Sequence, residues 1–111
     1  HMKGETIGEL EELVLLTVGA LVDKAYAVII LDEIKENTGR IIDVTAIHSV
    51  LRRLEKKGFV TSEMGGATAE RGGRRKRFFS LSPAGRKVLD QSMEVRLHLY
   101  QKLPKLTFST I

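Results

Sequence analysis

With 111 residues, the chain has the length of one domain that can bury a core of its own. It contains no cysteine, which excludes disulfides and cysteine-based zinc sites. Its apolar runs fall well short of the roughly 20 residues that cross a membrane. We therefore expect a cytoplasmic protein with no membrane partner. The net charge is +4, but residues 1–38 carry three basic and eight acidic side chains while residues 39–111 carry fifteen and six, which predicts a polyanion-binding surface in the second part.

The first two predicted helices cover residues 9–22 and 26–36. In both, apolar side chains recur every three or four residues, which is the spacing of one helix face. Leu15 and Leu16 add apolar surface beside the main stripe of the first helix, which fits either a helix that also contacts a partner chain or a central core helix. Residues 37–39, Asn-Thr-Gly, supply the usual chemistry of a helix end.

A third helix is predicted to begin after Asp43 or Thr45 and to run to about Lys57, where Gly58 provides a left-handed stop. Apolar residues at helical spacing form its inward stripe. The opposite face carries hydrogen-bond donors and is predicted to hold no acidic side chain, as contact with base edges and phosphates requires. The candidate contact residues on this face are Thr45, His48, Ser49, Arg52, Arg53 and Lys56.

A β-hairpin is predicted directly after the third helix. Residues 59–63 have strand propensity, the glycine-rich stretch 65–73 forms a tip that we expect to be mobile, and residues 74–81 form the return strand. Alternation along this strand turns Phe79 and Leu81 toward the core and leaves the basic side chains to solvent or phosphate. The candidate phosphate-contacting residues of the hairpin are Arg71, Arg74, Arg75, Lys76 and Arg77.

The last predicted element is a long helix that starts at Pro83, with Ser82 as its N-cap, and continues to about Leu103. At about 1.5 Å per residue, such a helix is about 30 Å long, which is more than so small a domain needs. Its apolar residues spread over two faces. Pro104 stops the helix, and residues 105–111 show no clear pattern, so we expect a frayed tail.

The order of these elements predicts a mainly α protein with a small β-hairpin, arranged as a winged helix-turn-helix with a long C-terminal helix. In such modules the third helix enters the major groove of DNA and the wing follows the backbone or a minor groove, which agrees with the positions of the basic residues. We therefore expect the third helix and the hairpin to lie side by side and to present one cationic surface to double-stranded DNA.

Two other interpretations use the same features. The Arg-Gly-Gly stretch at 71–73 also fits an RNA-binding module, and a winged helix can serve protein contacts alone, although it then has no need of the basic residues 74–77. An enzyme is not predicted, because the sequence shows no Ser-His-Asp group, phosphate-cradling loop or pair of buried carboxylates. No cofactor or metal is predicted either, since His48 and His98 lack further ligands at a suitable spacing.

Two segments resemble PadR-type transcriptional regulators. Residues 47–60, IHSVLRRLEKKGFV, look like the signature segment of that family, and residues 73–85, GRRKRFFSLSPAG, are similar to its Gly-Arg-x-Arg/Lys-x-aromatic-aromatic strand followed by Thr-x-x-Gly. Single motifs also occur in the wider winged-helix superfamily, including MarR-like proteins. The resemblance as a whole covers roughly residues 10–89. The resemblance implies a sequence-specific transcriptional regulator that binds a palindromic operator as a homodimer and, by family habit, acts as a repressor.

The order of the elements predicts a domain organisation, and the resemblance implies a dimer interface. Residues 3–82 would form the winged helix-turn-helix DNA-binding domain, residues 83–104 a C-terminal dimerisation helix and residues 105–111 the frayed tail. The homodimer would be built from the first and last helices, and the candidate interface residues are Leu15, Leu16, Leu97, Tyr100 and Leu103. Because members of this family often respond to phenolic or drug-like compounds, a small-molecule effector between subunits is a further possible partner.

One residue departs from the family pattern. Where the family usually has a tyrosine on the recognition helix that reaches the DNA backbone, this sequence has His48, preceded by the turn Val44-Thr45. An imidazole still donates a hydrogen bond to a phosphate, with charge assistance when it is protonated. We therefore expect the mode of DNA binding to be kept, while the operator sequence does not follow from the resemblance.

Overall fold

Four α-helices and one pair of strands make up the part of the chain that the computed structural model describes, residues 7–65 and 75–105. The helices are α1 (Glu9–Leu21), α2 (Ala27–Thr38), α3 (Val44–Lys56) and α4 (Pro83–Gln101), and the strands are β1 (Val60–Met64) and β2 (Arg77–Leu81). A 3₁₀ turn at Val22–Lys24 joins α1 to α2. The predicted fold class is confirmed: the protein is mainly α, with the small hairpin of a winged helix-turn-helix between the third helix and the long last helix.

Local backbone chemistry ends and starts the helices where the sequence predicts. Gly39 follows α2 with φ of 75° and Gly58 follows α3 with φ of 84°, both in the left-handed region that glycine tolerates best. Ser82 caps α4 by accepting the N–H of Gly85 at 3.0 Å, and its own hydroxyl donates to the carbonyl of Gly58 at 2.6 Å. The start of α4 is therefore tied to the turn between α3 and β1.

The hairpin is antiparallel and is attached to the body at its root. Within it, Ser62 of β1 pairs with Phe79 of β2. The N–H of Phe79 also donates to the carbonyl of Ala25 at 2.8 Å, so the second strand is bonded both to the first strand and to the connection before α2. The second strand is shorter than predicted, because regular pairing begins only at Arg77.

The core lies between α1, α2, α3 and the hairpin. Its buried side chains form one stripe on each helix, because residues three and four apart share a helix face. They include Val14, Leu15, Val18, Ile30, Ile34, Ile47, Leu51, Leu54, Phe59, Val60 and Phe79. Within the described residues no single helix is long and apolar enough to cross a membrane; α1 with its following turn and α2 reach that length and composition only together, across a bend of 120°.

The position of α1 corrects one expected interface residue. This helix packs against α2, α3, α4 and β2 and is therefore the central helix of the core. Leu15 is fully buried among these elements, so it is not left for a partner chain as the sequence had suggested. Leu16, the next residue around the helix, keeps 38% of its surface exposed.

The long helix α4 is anchored at its start and leaves the body toward its end. Leu89 is buried in the core, and Glu12 of α1 accepts hydrogen bonds from the hydroxyl of Ser92 and, at 3.1 Å, from Nη2 of Arg96. The outer part of the helix instead exposes apolar side chains. Those with more than half of their surface accessible are Val95, Leu97, Leu99, Tyr100 and, just after the helix, Leu103.

Candidate nucleic-acid interface

The recognition helix α3 and the strand β2 face each other across a cleft of about 320 Å³. Leu51 of the helix and Phe79 of the strand both line this cleft and both belong to the buried core, which brings the two elements together. The polar and charged side chains that line the cleft are His48, Arg52 and Glu55 from the helix and Arg77 from the strand.

A second cleft of about 550 Å³ adjoins the first and reaches the start of α2. The two clefts share His48, Arg77 and Phe79. The remaining residues that line the second cleft are Tyr26, Ala27, Val28, Arg75 and Lys76. We call the surface lined by both clefts the cationic cleft, because Arg52, Arg75, Lys76 and Arg77 all line it. It brings side chains from α3 and from the wing into one place, as the sequence predicts.

The charged groups of the cationic cleft suit a polyanion. Arginine and lysine side chains are donors only, and each carries a positive charge at neutral pH. Within residues 7–65 and 75–105, no carboxylate lies within the 4.0 Å of an ion pair from Arg52, Arg75 or Lys76. Within that part of the chain these three charges have no carboxylate partner, and the phosphate oxygens of a polyanion are suitable acceptors for such donors.

Several predicted residues of α3 lie outside this surface. Thr45 and Lys56 are exposed and Ser49 is half-buried, and none of the three lines either cleft. Arg53 contacts α1, because its Nε lies 3.3 Å from Oε2 of Glu11. The structure therefore engages Arg53 in holding two helices together, although the sequence groups it with the DNA-contacting residues.

Among the described residues, the carboxylate of Glu11 accepts the largest number of hydrogen bonds. It accepts the N–H of Gly8 at 2.8 Å, Nζ of Lys57 at 3.0 and 3.1 Å, and Nε of Arg53. Burial by itself raises the pKa of a carboxyl group, but the hydrogen bonds from Gly8, Lys57 and Arg53 and the charge of Lys57 outweigh this effect and lower the pKa of Glu11 below its ordinary value of 4.5.

The prediction that the outer face of α3 holds no acidic side chain is wrong, because Glu55 lines the cationic cleft. Its Oε2 accepts the hydroxyl of Ser62 at 2.8 Å, and the oxygen of that hydroxyl accepts Nη1 of Arg77 at 2.9 Å. The sequence did contain the signal: Glu55 lies three residues after Arg52 and seven after His48, so helical spacing places it on their face.

Tyr26 is a second residue of this surface that was not among the predicted contact residues. It lies immediately before α2, and its ring meets the ring of Phe78 edge to face, with centroids 5.3 Å apart and planes at 71°. Nζ of Lys76 lies 5.2 Å from the centroid of the same ring, within the range of a cation–π contact. No local pattern relates Tyr26 to the hairpin, because the two are about fifty residues apart in the chain.

The remaining predicted residues belong to the tip of the hairpin, to the expected dimer interface and to possible metal ligands. Arg71 and Arg74, and with them most of the predicted mobile tip, lie outside the described residues. Of the expected dimer residues, Leu16, Leu97, Tyr100 and Leu103 are exposed. Among the described histidines, aspartates and glutamates, no three are grouped closely enough to hold a metal ion.

The chain is similar to a known family of regulators along most of its length. Residues 15–91 match the family described as "Transcriptional regulator PadR-like family". This segment includes α2, α3, the hairpin and the first part of α4, and therefore the whole cationic cleft. No curated protein matches the sequence.

Solved structures share the fold. A PadR family transcription regulator from Clostridium difficile R20291 has a TM-score of 0.72 at 18% identity, over 85% of this chain and 93% of the other. A transcriptional regulator from Clostridium thermocellum has a TM-score of 0.64 at 23% identity, over 90% and 100% of the two chains. A PadR family regulator from Eggerthella lenta has a TM-score of 0.62 at 22% identity, over 84% and 80%. At these identities the likeness concerns the fold.

Proposed function

This chain belongs to the PadR-like family of transcriptional regulators, and from that membership we propose that it regulates transcription by binding double-stranded DNA through the cationic cleft. The family consists of regulators, so the protein is not an enzyme. The observation that carries the proposal is the meeting of recognition helix and wing in one surface, where Arg52, Arg75 and Lys76 have no carboxylate partner among the described residues.

We assign different tasks to the wing, which lines the cationic cleft, and to the start of α3, which lies beside it. The wing cations Arg75 and Lys76 contact phosphates, because they are exposed and because Lys and Arg bind the backbone whatever the sequence. The exposed start of α3 enters the major groove, where Thr45 and Ser49 reach base edges. His48 lines both clefts between these regions, and its imidazole donates to a phosphate beside the wing.

We propose further that two chains bind a palindromic operator and repress transcription. The exposed apolar side chains of α4, together with Leu16 of α1, support a homodimer through these helices, because several large apolar side chains exposed on one helix are typical of a protein interface. A twofold dimer requires operator half-sites about one helical turn, roughly 34 Å, apart. Repression, and a small-molecule effector between the subunits, rest on the family resemblance alone.

Footprinting on the DNA upstream of the protein's own gene, followed by selection from random duplexes, tests this function. We expect a protected palindrome whose two halves lie about one turn apart on the same face of the duplex. Structured RNA of equal length is the competitor. If no duplex is protected while the RNA competes at nanomolar concentration, the protein is an RNA-binding module; if neither nucleic acid binds, the winged helix serves protein contacts.

A further inference from the structure

One hydrogen-bonded chain of side chains joins α3 to both strands of the hairpin beside the cationic cleft. Nη1 of Arg77 in β2 donates to Oγ of Ser62 in β1 at 2.9 Å, and the hydroxyl of Ser62 donates to Oε2 of Glu55 in α3 at 2.8 Å. We call this set the Glu55–Ser62–Arg77 chain. It connects the recognition helix to both strands of the wing.

The register of the hairpin explains why these residues meet. Ser62 lies opposite Phe79, and Arg77 lies two residues before Phe79 on the same strand. Because side chains alternate along a strand, Ser62, Phe79 and Arg77 share one face, which is the face toward α3, since Phe79 is buried in the core. Glu63 belongs to the opposite face of the same hairpin.

Glu55 is an unusual residue for a surface that binds a polyanion. Its carboxylate repels phosphates, and within the described residues it forms no ion pair with the arginines around it. The one hydrogen bond of its carboxylate among the described residues is with the hydroxyl of Ser62, whose single proton it accepts. The lone pairs of that hydroxyl then face the guanidinium of Arg77, so Glu55 orients Ser62 and Ser62 orients Arg77.

An arginine held in this way selects among DNA sequences differently from an arginine whose side chain can turn. Arg77 uses Nη1 on Ser62 and keeps further N–H donors for a ligand, now in a fixed direction beside His48 and Arg52. A guanidinium of fixed direction fits one backbone path or one base edge, whereas a free one follows any phosphate. We propose that Glu55, acting through Ser62, is a positioning residue that fixes Arg77 and thereby sets the discrimination between the operator and other duplexes.

This proposal rests on the proposed function, and its test uses the full chain with two duplexes of equal length, the protected sequence and a mixed sequence. Fluorescence anisotropy gives the dissociation constant of each. We expect Glu55→Gln and Ser62→Ala each to lower the ratio of the two affinities by about 2- to 10-fold, the effect of one ordinary hydrogen bond. Ser62→Thr keeps a hydroxyl and restores the ratio. In an Arg77→Ala background, neither Glu55→Gln nor Ser62→Ala changes the ratio further.

Glu63→Gln is the matched control, because it removes the same charge from the opposite face of the hairpin. If the Glu55–Ser62–Arg77 chain sets the discrimination between the two duplexes, Glu63→Gln leaves the ratio of the two affinities unchanged. Equal effects of Glu55→Gln and Glu63→Gln, an unchanged ratio in Ser62→Ala, or an Arg77→Ala variant that still responds to Glu55→Gln would each overturn the proposal. Thermal unfolding confirms that the variants are folded. Failure of the unmodified protein to bind either duplex would overturn the proposed function instead.

Discussion

Among single residues, Glu11 illustrates how one buried carboxylate organises the surroundings of a binding surface. Its side chain is 8% exposed and binds the start of its own helix as well as Arg53 and Lys57 near the end of α3. The attraction holds the recognition helix against the central helix. It also bonds Nε of Arg53, whereas Arg52, the adjacent arginine, lines the cationic cleft.

Glu11→Gln should destabilise the folded protein in a pH-dependent way. The folded pKa of Glu11 lies below its value in the unfolded chain, so its stabilising effect is complete above about pH 4.5 and is lost as the pH falls through the folded pKa. We expect the free energy of unfolding at pH 7 to fall by about 1 to 3 kcal/mol, as for hydrogen bonds to a charged group. Denaturant titrations of both proteins at pH 7 and at pH 3 measure this.

The control for that measurement is Glu9→Gln, because Glu9 binds Arg40 at 2.9 Å but is 75% exposed. Exposed ion pairs contribute about 0 to 1 kcal/mol, so this variant should change stability little. The difference between the original protein and Glu11→Gln should shrink at pH 3. A difference that stays the same at both pH values would mean that the charge of Glu11 is not what stabilises the fold.

At the level of the elements, the root of the wing is braced against the body at three places. β2 is hydrogen-bonded to the connection before α2 through Phe79, Lys76 lies over the ring of Tyr26, and Arg77 is linked through Ser62 to α3. These contacts come from three different parts of the chain. They attach Lys76 and Arg77 to the same body that carries α3, which favours a fixed spacing between the wing and that helix.

Replacing Arg75 and Lys76 together by alanine should weaken binding to every duplex and reduce its salt dependence. Each lost phosphate contact lowers the slope of log affinity against log salt concentration by about 0.9, because fewer counterions are released. Anisotropy titrations with a mixed-sequence duplex at several salt concentrations give the slope. Lys87→Ala, an exposed charge on α4 away from the cationic cleft, should leave it unchanged. An unaltered slope in the double variant would exclude these two residues from the contact with DNA.

For the whole molecule, the proposed homodimer gives α4 the task of arranging two cationic clefts in space. Its start is held by the Ser82 cap, and its middle by the contacts of Glu12 with Ser92 and Arg96. Its outer part exposes apolar side chains on more than one side, as expected for a helix enclosed by a partner. A symmetric pair of such chains presents two recognition helices to one duplex, which converts the second contact into an intramolecular one.

Leu97→Glu combined with Tyr100→Glu should therefore convert a dimer to a monomer that stays folded, because both residues lie more than half exposed outside the core. Light scattering coupled to gel filtration measures the mass. A monomer binds only one operator half-site, so operator binding should weaken by on the order of 100-fold, with a smaller effect on short non-specific duplexes. Ile41→Glu, an equally drastic change at a residue 78% exposed between α2 and α3, is the control. A double variant that keeps the dimer mass would place the interface elsewhere.

The sequence by itself determined the order of the elements and the helix ends. Gly39, Gly58 and the Ser82-Pro83 pair act through the backbone of their own neighbourhood, so their effect is visible without the rest of the chain. Helical spacing likewise indicated which residues of α3 share a face, although the acidic Glu55 was overlooked there.

Only the tertiary structure decided which other element each helix face packs against. Arg52 and Arg53 are equivalent in a basic run, but about 100° of rotation separates neighbours on a helix, and one lines the cleft while the other binds Glu11, 42 residues away. Leu15 became core rather than interface, and Tyr26 became part of the wing's support, for the same reason. A one-dimensional pattern records the direction of a side chain relative to its own helix, whereas its partner depends on how distant elements pack.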